Sequence, residues 1–207
     1  MIMEQKEKQY TEILDDEGKP LDLSQANLMF TNMRYANLSQ VDLRQAKLDE
    51  ANLSNSNLSS ANLAETSLAE ANLMEANLTE AELNGANLSQ ANLIRSDLSA
   101  ANLMGANLNQ AELFRANLSR ANLSGADLSR AHLVQAELNG ANLSWANLGQ
   151  ADLQKAYLQQ ADLSGANLGQ ANLSDIDLTE AKYNSQTEWP QDFSPEQHGA
   201  ILVEGPY

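Results

Sequence analysis

The chain has 207 residues with 28 acidic and only 12 strongly basic side chains, a formal net charge of −16, so it lacks the clustered lysine and arginine that a phosphate backbone or an anionic membrane surface demands. It contains no cysteine, which removes disulfides, thiolate metal sites and cysteine nucleophiles from consideration. Hydrophobic residues make up 43% of the chain and aromatics 5%, and an apolar content made almost wholly of alanine and leucine points to many copies of one small packing unit rather than a mixed globular core.

The first element in chain order is residues 1–20. Its opening, MIMEQKEKQYTEIL, lacks the continuous apolar stretch of a signal peptide, and no run anywhere approaches the roughly 18 apolar residues of a membrane span. A cytoplasmic location is the expectation. Met3, Tyr10, Ile13 and Leu14 stand among charges with a spacing compatible with a short amphipathic helix. Such a helix is expected to cap whatever follows, against the alternative of an unstructured tail.

The second element is an uninterrupted five-residue repeat over 21–185, thirty-three copies without insertion or deletion. The centre of each copy is leucine in 31 of the 33, Met33 and Tyr183 being the exceptions, and alanine stands two residues earlier in 26. A spacing of two puts alanine and leucine on the same face of an extended segment and turns the intervening Asn or Asp outward. Five fits neither an α-helix nor a continuous strand, so the chain must turn after every short extended piece. Ser-Gln, Ser-Gly and Asn-Gly pairs at the last two positions are suited to those turns. Alanine is needed at the other inward site because several walls converge on a narrow interior.

These repeats, of the form A-(N/D)-L-x-x, resemble the pentapeptide-repeat family over about four-fifths of the chain. The resemblance implies an all-β fold, a right-handed quadrilateral β-helix with four repeats per coil. At ~4.8 Å between stacked strands, 33 repeats are then expected to make about eight coils.

The third element, residues 186–207, breaks the repeat and gathers Trp189, Phe193, Ile201 and Leu202 with three prolines. It resembles the T-x-W/F-P-x-x-F-x-P tail that follows the repeats in many bacterial, especially cyanobacterial, members. The expected role is an irregular cap built on Trp189 and Phe193, because an uncapped solenoid exposes its last leucine layer and unpaired backbone groups. A dimerisation surface is the alternative.

With four repeats per coil, residues 20 apart stack in columns. One column is apolar, Met74, Ile94, Phe114 and Val134, and beside it run Glu75, Arg95, Arg115 and Gln135. It is a candidate partner or self-association patch, against mutual packing of stacked turns. Trp145 interrupts a column of Gly85, Gly105, Gly125 and Gly165 and is a further candidate contact. Between Leu48 and Leu93 lie seven acids, Asp49, Glu50, Glu65, Glu70, Glu75, Glu80 and Glu82, with no lysine or arginine. They form a candidate acidic surface for a basic partner, or only a solubilising one. Stacked asparagines such as Asn102, Asn122 and Asn142 are expected to form side-chain ladders.

Catalysis needs a concave pocket with convergent titratable groups, and no nucleophile–base pair, phosphate loop or metal-ligand spacing is present. No cofactor or metal is expected, His132 and His198 being too far apart in sequence to suggest a site. The leading reading is a non-enzymatic interaction module presenting flat walls to an unidentified protein partner, with no direct nucleic-acid or membrane contact, as a monomer or as a dimer through an end or the apolar column. The runner-up comes from the family resemblance: some members are acidic rods that mimic duplex DNA and bind DNA gyrase. This chain has leucine centres where those members often carry phenylalanine.

Overall fold

The computed structural model describes residues 18–203. Tyr10, Ile13, Leu14 and the expected N-terminal helix lie outside the described residues.

The repeat 106–110, Ala-Asn-Leu-Asn-Gln, shows how five residues close their own accounts. The Ala106 amide donates across the preceding turn to Leu103 O at 3.0 Å, Asn107 N–H donates one coil down to Ala86 O at 2.9 Å, and Leu108 and Gln110 donate one coil up to Asp127 O at 2.7 Å and Ser129 O at 3.0 Å. The one amide left, that of Asn109, donates to the side-chain Oδ1 of Asn107 at 3.0 Å. All five amides are thereby satisfied, as a buried or half-buried backbone requires. The second residue is Asn or Asp because a short carbonyl or carboxylate is needed to accept the amide two residues on, the geometry of an Asx turn.

Eight repeats carry another residue at the second position: Lys47, Ser67, Glu82, Glu112, His132, Glu137, Tyr157 and Lys182. In those of Ser67 and Tyr157 the amides of Ala69 and Gln159 are taken by Asp49 Oδ1 at 3.2 Å and Asn139 Oδ1 at 3.1 Å. Both acceptors come from the coil beneath.

Each turn joins the central residue to the alanine position three residues on, and only its third residue has positive φ, for example 58° at Glu65 and 57° at Glu80. That is the signature of a type II turn. Glycine fills the site only at 85, 105, 125, 140 and 165. At the other repeats Gln, Glu, Arg and other residues accept the left-handed conformation, at a cost of about 1–2 kcal/mol each, because the amide of that residue is fixed to the coil above.

Parallel bridges pair residues 20 apart, from Asp22↔Asp42 through Asp162↔Lys182, which gives four repeats per coil and four walls. Alanine and leucine fill the interior, with Ala46, Leu48, Ala111, Leu113 and their equivalents fully buried. Where serine or threonine replaces the inward alanine, the hydroxyl donates to a leucine carbonyl: Ser56 Oγ to Leu53 O at 2.6 Å, Ser96 Oγ to Leu93 O at 2.7 Å and Thr66 Oγ1 to Leu43 O at 2.7 Å. No interior hydroxyl among these three is left unpaired, which is the condition for burying one. The outward asparagines form the expected ladders, with Asn122 Nδ2 on Asn102 Oδ1 at 3.2 Å and Asn142 Nδ2 on Asn122 Oδ1 at 3.3 Å.

The tail differs from expectation. Instead of an irregular plug it continues the winding. Glu188 extends the ladder above Asn167, Leu178 and Glu180 donate to His198 O and Gly199 O, and β1 (Lys182–Tyr183) pairs in parallel with β2 (Ile201–Leu202). A 3-10 turn, Pro195–His198, ends on Gly199 at φ 91°. The tail thus supplies acceptors and donors to the last complete coil before exposing β2 as its own edge. At the other end Leu23, Leu28, Met33 and Ala36 are only partly buried.

Leu108→Ala should lower the unfolding free energy by about 2–5 kcal/mol, because four rigid walls cannot collapse into the void. Removing residues 101–120 together should leave a folded rod shorter by ~4.8 Å, whereas removing Leu108 alone shifts every downstream side chain to the wrong face. Thermal melts by circular dichroism and small-angle scattering separate these outcomes; a native melt for the single-residue deletion would contradict the register argument.

Candidate functional site

Since most wall positions are spent on ladders, variation is greatest at the fourth and fifth positions, which form the corners. The apolar column, Met74, Ile94, Phe114 and Val134, lies along one corner with each side chain half-buried against the next. Its flank is polar and partly tied down. Arg115 Nε donates to Gln135 Oε1 at 2.6 Å, its guanidinium sits 5.2 Å from the Phe114 ring centroid, and Arg95 meets Glu75 at 3.6 Å.

A different corner carries Trp145. It is 63% exposed, and its indole leans over Gly165, where an added Cβ would come within 2.7 Å of the ring. The fifth positions below it, Gly125, Gly105 and Gly85, have no side chains, so nothing walls the indole in. Met104, 51% exposed, stands two coils lower on the same corner. Sequence reading passed over Met104; its signal was there, a long apolar residue whose column neighbours are Asn84, Ser124, Ser144 and Ser164.

The seven acids do not make one surface. Glu65, Glu70, Glu75 and Glu80 occupy the fifth position of four successive repeats, so they stand at the four corners of a single coil and ring the rod. Glu50 lies one coil below Glu70, and Glu82 points out from a wall and accepts from Asn102 Nδ2 at 2.7 Å. Asp49 is structural, accepting from both the Ser67 hydroxyl and the Ala69 amide. The even spacing of the four corner glutamates around the rod follows from the five-residue repeat and four repeats per coil.

At the C-terminal end Trp189 and Phe193 pack in a chain of rings. Tyr183 meets Trp189 edge-on at 5.5 Å, Trp189 stacks on Phe193 at 5.4 Å, and Phe193 stacks on His198 at 4.6 Å. The Tyr183 hydroxyl donates to Glu196 Oε1. That hydrogen bond, with burial second, pushes the phenol up to about 12, and it holds the Glu196 carboxyl below its ordinary value.

Where Gly149 and Gly169 leave the corner bare above Asn147 and Asn167, there is a shallow polar trough rimmed by Arg130, Gln150 and Gln170. Among the described residues no group of three or more His, Cys, Asp or Glu is placed to hold a metal ion. His132 pairs with Glu112 at 2.9 Å across one rung. Nothing in these arrangements brings a nucleophile to a base.

A family profile described as Pentapeptide repeats matches eight copies, over residues 21–45, 36–73, 71–110, 111–150 and 141–179. The chain belongs to the pentapeptide-repeat family. Members are generally structural, non-enzymatic modules, and the family fold winds as a right-handed β-helix. Among solved structures the chain is similar to HetL, a pentapeptide repeat protein involved in heterocyst differentiation regulation from the cyanobacterium Nostoc sp. strain PCC 7120, at 34% identity over 88% of this chain and 85% of that one, with a TM-score of 0.34. It is also similar to alr5209, a pentapeptide repeat protein from the same Nostoc, at 42% identity over 47% of this chain and 84% of that one, TM-score 0.36. QnrB1, a plasmid-mediated fluoroquinolone resistance protein, aligns at 16% identity over 86% of this chain and 89% of that one, TM-score 0.44. No curated protein matches the chain.

Two outcomes follow from this geometry. Gly105→Ala, with nothing within 4 Å of the new methyl, should lose about 1 kcal/mol from left-handed strain alone. Gly165→Ala carries the same strain and must also expel the Trp145 ring, so it should melt lower still and change indole fluorescence; equal melts for the two would show that the ring does not rest on Gly165. The latch at the C-terminus is pH-dependent at both extremes. The lowered Glu196 value means its contribution is present above the unfolded carboxyl value and lost as pH falls through the lowered one, while the raised Tyr183 value means a contribution full below 10 and lost as pH rises through about 12. Spectroscopic titration of phenolate should therefore find one tyrosine ionising near 12, and Glu196→Gln should return it toward the ordinary range.

Proposed function

We propose that the rod is a non-enzymatic protein-interaction module whose partner docks on the corner around Trp145. The observation that carries this reading is a two-thirds exposed indole set over Gly165 in a fifth-position column otherwise made of glycine from Gly85 to Gly165. Tryptophan is the residue type most enriched at interaction hot spots, and it loses little conformational entropy when covered. Met104 extends the apolar contact down the same corner, and the bare glycine turns let a partner approach the backbone. The ring of glutamates around one coil, together with Arg115, Arg120 and Arg130 beyond it, which have no carboxylate partner among the described residues, favours a protein partner over mimicry of duplex DNA, whose charge runs evenly along its axis.

Quantitative affinity capture with the native chain and with Trp145→Ala, run beside a gyrase supercoiling assay, tests this reading. A specific partner should be lost with Trp145→Ala, at a cost of about 2 kcal/mol or more in affinity, while supercoiling is unaffected by micromolar protein. Capture indifferent to Trp145 would dismiss the docking corner, and inhibition or protection of gyrase would move the assignment to DNA mimicry.

A further inference from the structure

With Trp145 taken as the docking point, the charges around it indicate the chemistry of what covers it. Between Lys47 and Lys182 the chain's lysines and arginines are Arg95, Arg115, Arg120, Arg130 and Lys155, and all of them stand on the other three corners. The Trp145 corner and the two walls that meet there hold none over that span, but they hold Glu65, Glu82, Asp127 and Asp162. Trp145 lies between Asn142 on one wall and Asn147 on the next; Asp162 stands one rung above Asn142 and Asp127 one rung below Asn147. Neither aspartate makes an ion pair among the described residues. Arg130, in the same repeat as Asp127, donates instead to Gln150 Oε1 at 3.2 Å. We propose that the partner covers Trp145 with a basic segment and lays an arginine side chain on the indole, between these two carboxylates.

The ring is held with one face free. An added Cβ at Gly165 would lie 2.7 Å from Cε3, 2.8 Å from Cδ2 and 2.9 Å from Cζ3 of Trp145. Three adjacent ring atoms at such even distances mean that Gly165 sits against a face of the indole rather than its edge. The opposite face is left to solvent, with only Gly125 beneath it in the column. A cation over an aromatic face is attracted by the ring quadrupole, most strongly on tryptophan, and a planar guanidinium stacks flat there while its N–H groups stay free to meet carboxylates. The fold uses one oxygen of each aspartate. Asp127 Oδ1 accepts from the Ser129 amide at 3.0 Å and Asn147 Nδ2 at 3.0 Å, and Asp162 Oδ1 accepts from the Ser164 amide at 2.9 Å. The Oδ2 atoms remain for a partner. A neutral segment laid over Trp145 would desolvate both carboxylates without a counter-charge, which is costly; a basic one compensates them.

Asparagine is the commonest residue at the second position and accepts the same turn amide, so Asp127→Asn and Asp162→Asn remove charge while keeping the turn. The probe is a short peptide of alternating glycine and arginine, titrated by indole fluorescence at physiological ionic strength, where a screening length of about 8 Å separates the corner from distant acids. The peptide should shift the emission of the native chain and not that of Trp145→Ala, whose remaining Trp189 is packed between Tyr183 and Phe193. Replacing every arginine by citrulline, which keeps the shape and removes the charge, should weaken binding ~10-fold. Asp127→Asn and Asp162→Asn should each weaken it about 3-fold, whereas Glu70→Gln and Glu80→Gln, on other corners, should leave it unchanged. Thermal melts establish that each variant is folded. Citrulline matching arginine, or the double aspartate variant binding like the native chain, would overturn the inference. The docking reading fails separately. A protein captured through Trp145 but indifferent to both asparagine substitutions would keep the docking corner and discard the basic segment, and capture indifferent to Trp145 would discard both.

Discussion

The fourth residue of each pentapeptide has an amide that no backbone carbonyl of a neighbouring coil accepts, and the structure depends on how side chains satisfy it. The other four donors find carbonyls across the turn or along the rod axis. This one needs a side chain, and an Asn or Asp two residues earlier supplies the acceptor, as Asn107 does for Asn109. Once that bond is in place the turn is fixed, the turn fixes the wall length, and the wall length makes residues 20 apart stack. Leucine and alanine then fill an interior whose size the turns have already set, and burial of each leucine contributes roughly 1.5–3 kcal/mol toward offsetting the backbone entropy and the left-handed strain at the corners.

A surface follows from the same constraint. Where the outward residue of a wall is Asn or Asp it accepts within its own repeat and often donates to the coil below, as Asn142 does to Asn122, so most walls have little freedom to diversify. Corners have more. Their fourth and fifth residues accept almost any side chain, because the backbone there is held by hydrogen bonds that do not depend on residue type. That is why the apolar column, Trp145 and the glutamate ring all sit at corners, and why functional variation in such a rod is read along columns rather than along the chain.

The ends obey different physics. A parallel ladder has no natural stop, and the tail handles the C-terminal edge by carrying the winding onward through Glu188, Gly199 and β2 while four rings in contact, from Tyr183 to His198, cover the last leucine layer. The tail gains hydrogen bonds as well as apolar contact, and a cap of that kind is bonded into the fold rather than laid upon it.

Period, inward pair and residue spacing were legible because they repeat: one spacing rule applied thirty-three times fixes an all-β solenoid, its leucine core and the asparagine ladders. Trp189 and Phe193 could be read as capping residues, but not that the tail would keep the ladder, since its offsets from the coil below, 21 residues at Glu188 and 19 at Ile201, follow no period. The acids between Leu48 and Leu93 looked like one patch because they are close in sequence. The fold turns through a right angle every five residues and sends Glu65, Glu70, Glu75 and Glu80 to four different corners. Asp49 passed for a surface charge until the missing acceptor at Ser67 showed what it bonds. The sequence by itself determined the repeat and what it buries, because those depend on neighbours two and five residues away. Which outer side chains share a surface was decided by the tertiary structure alone, because neighbours on this surface are 20 residues apart and the winding chooses them.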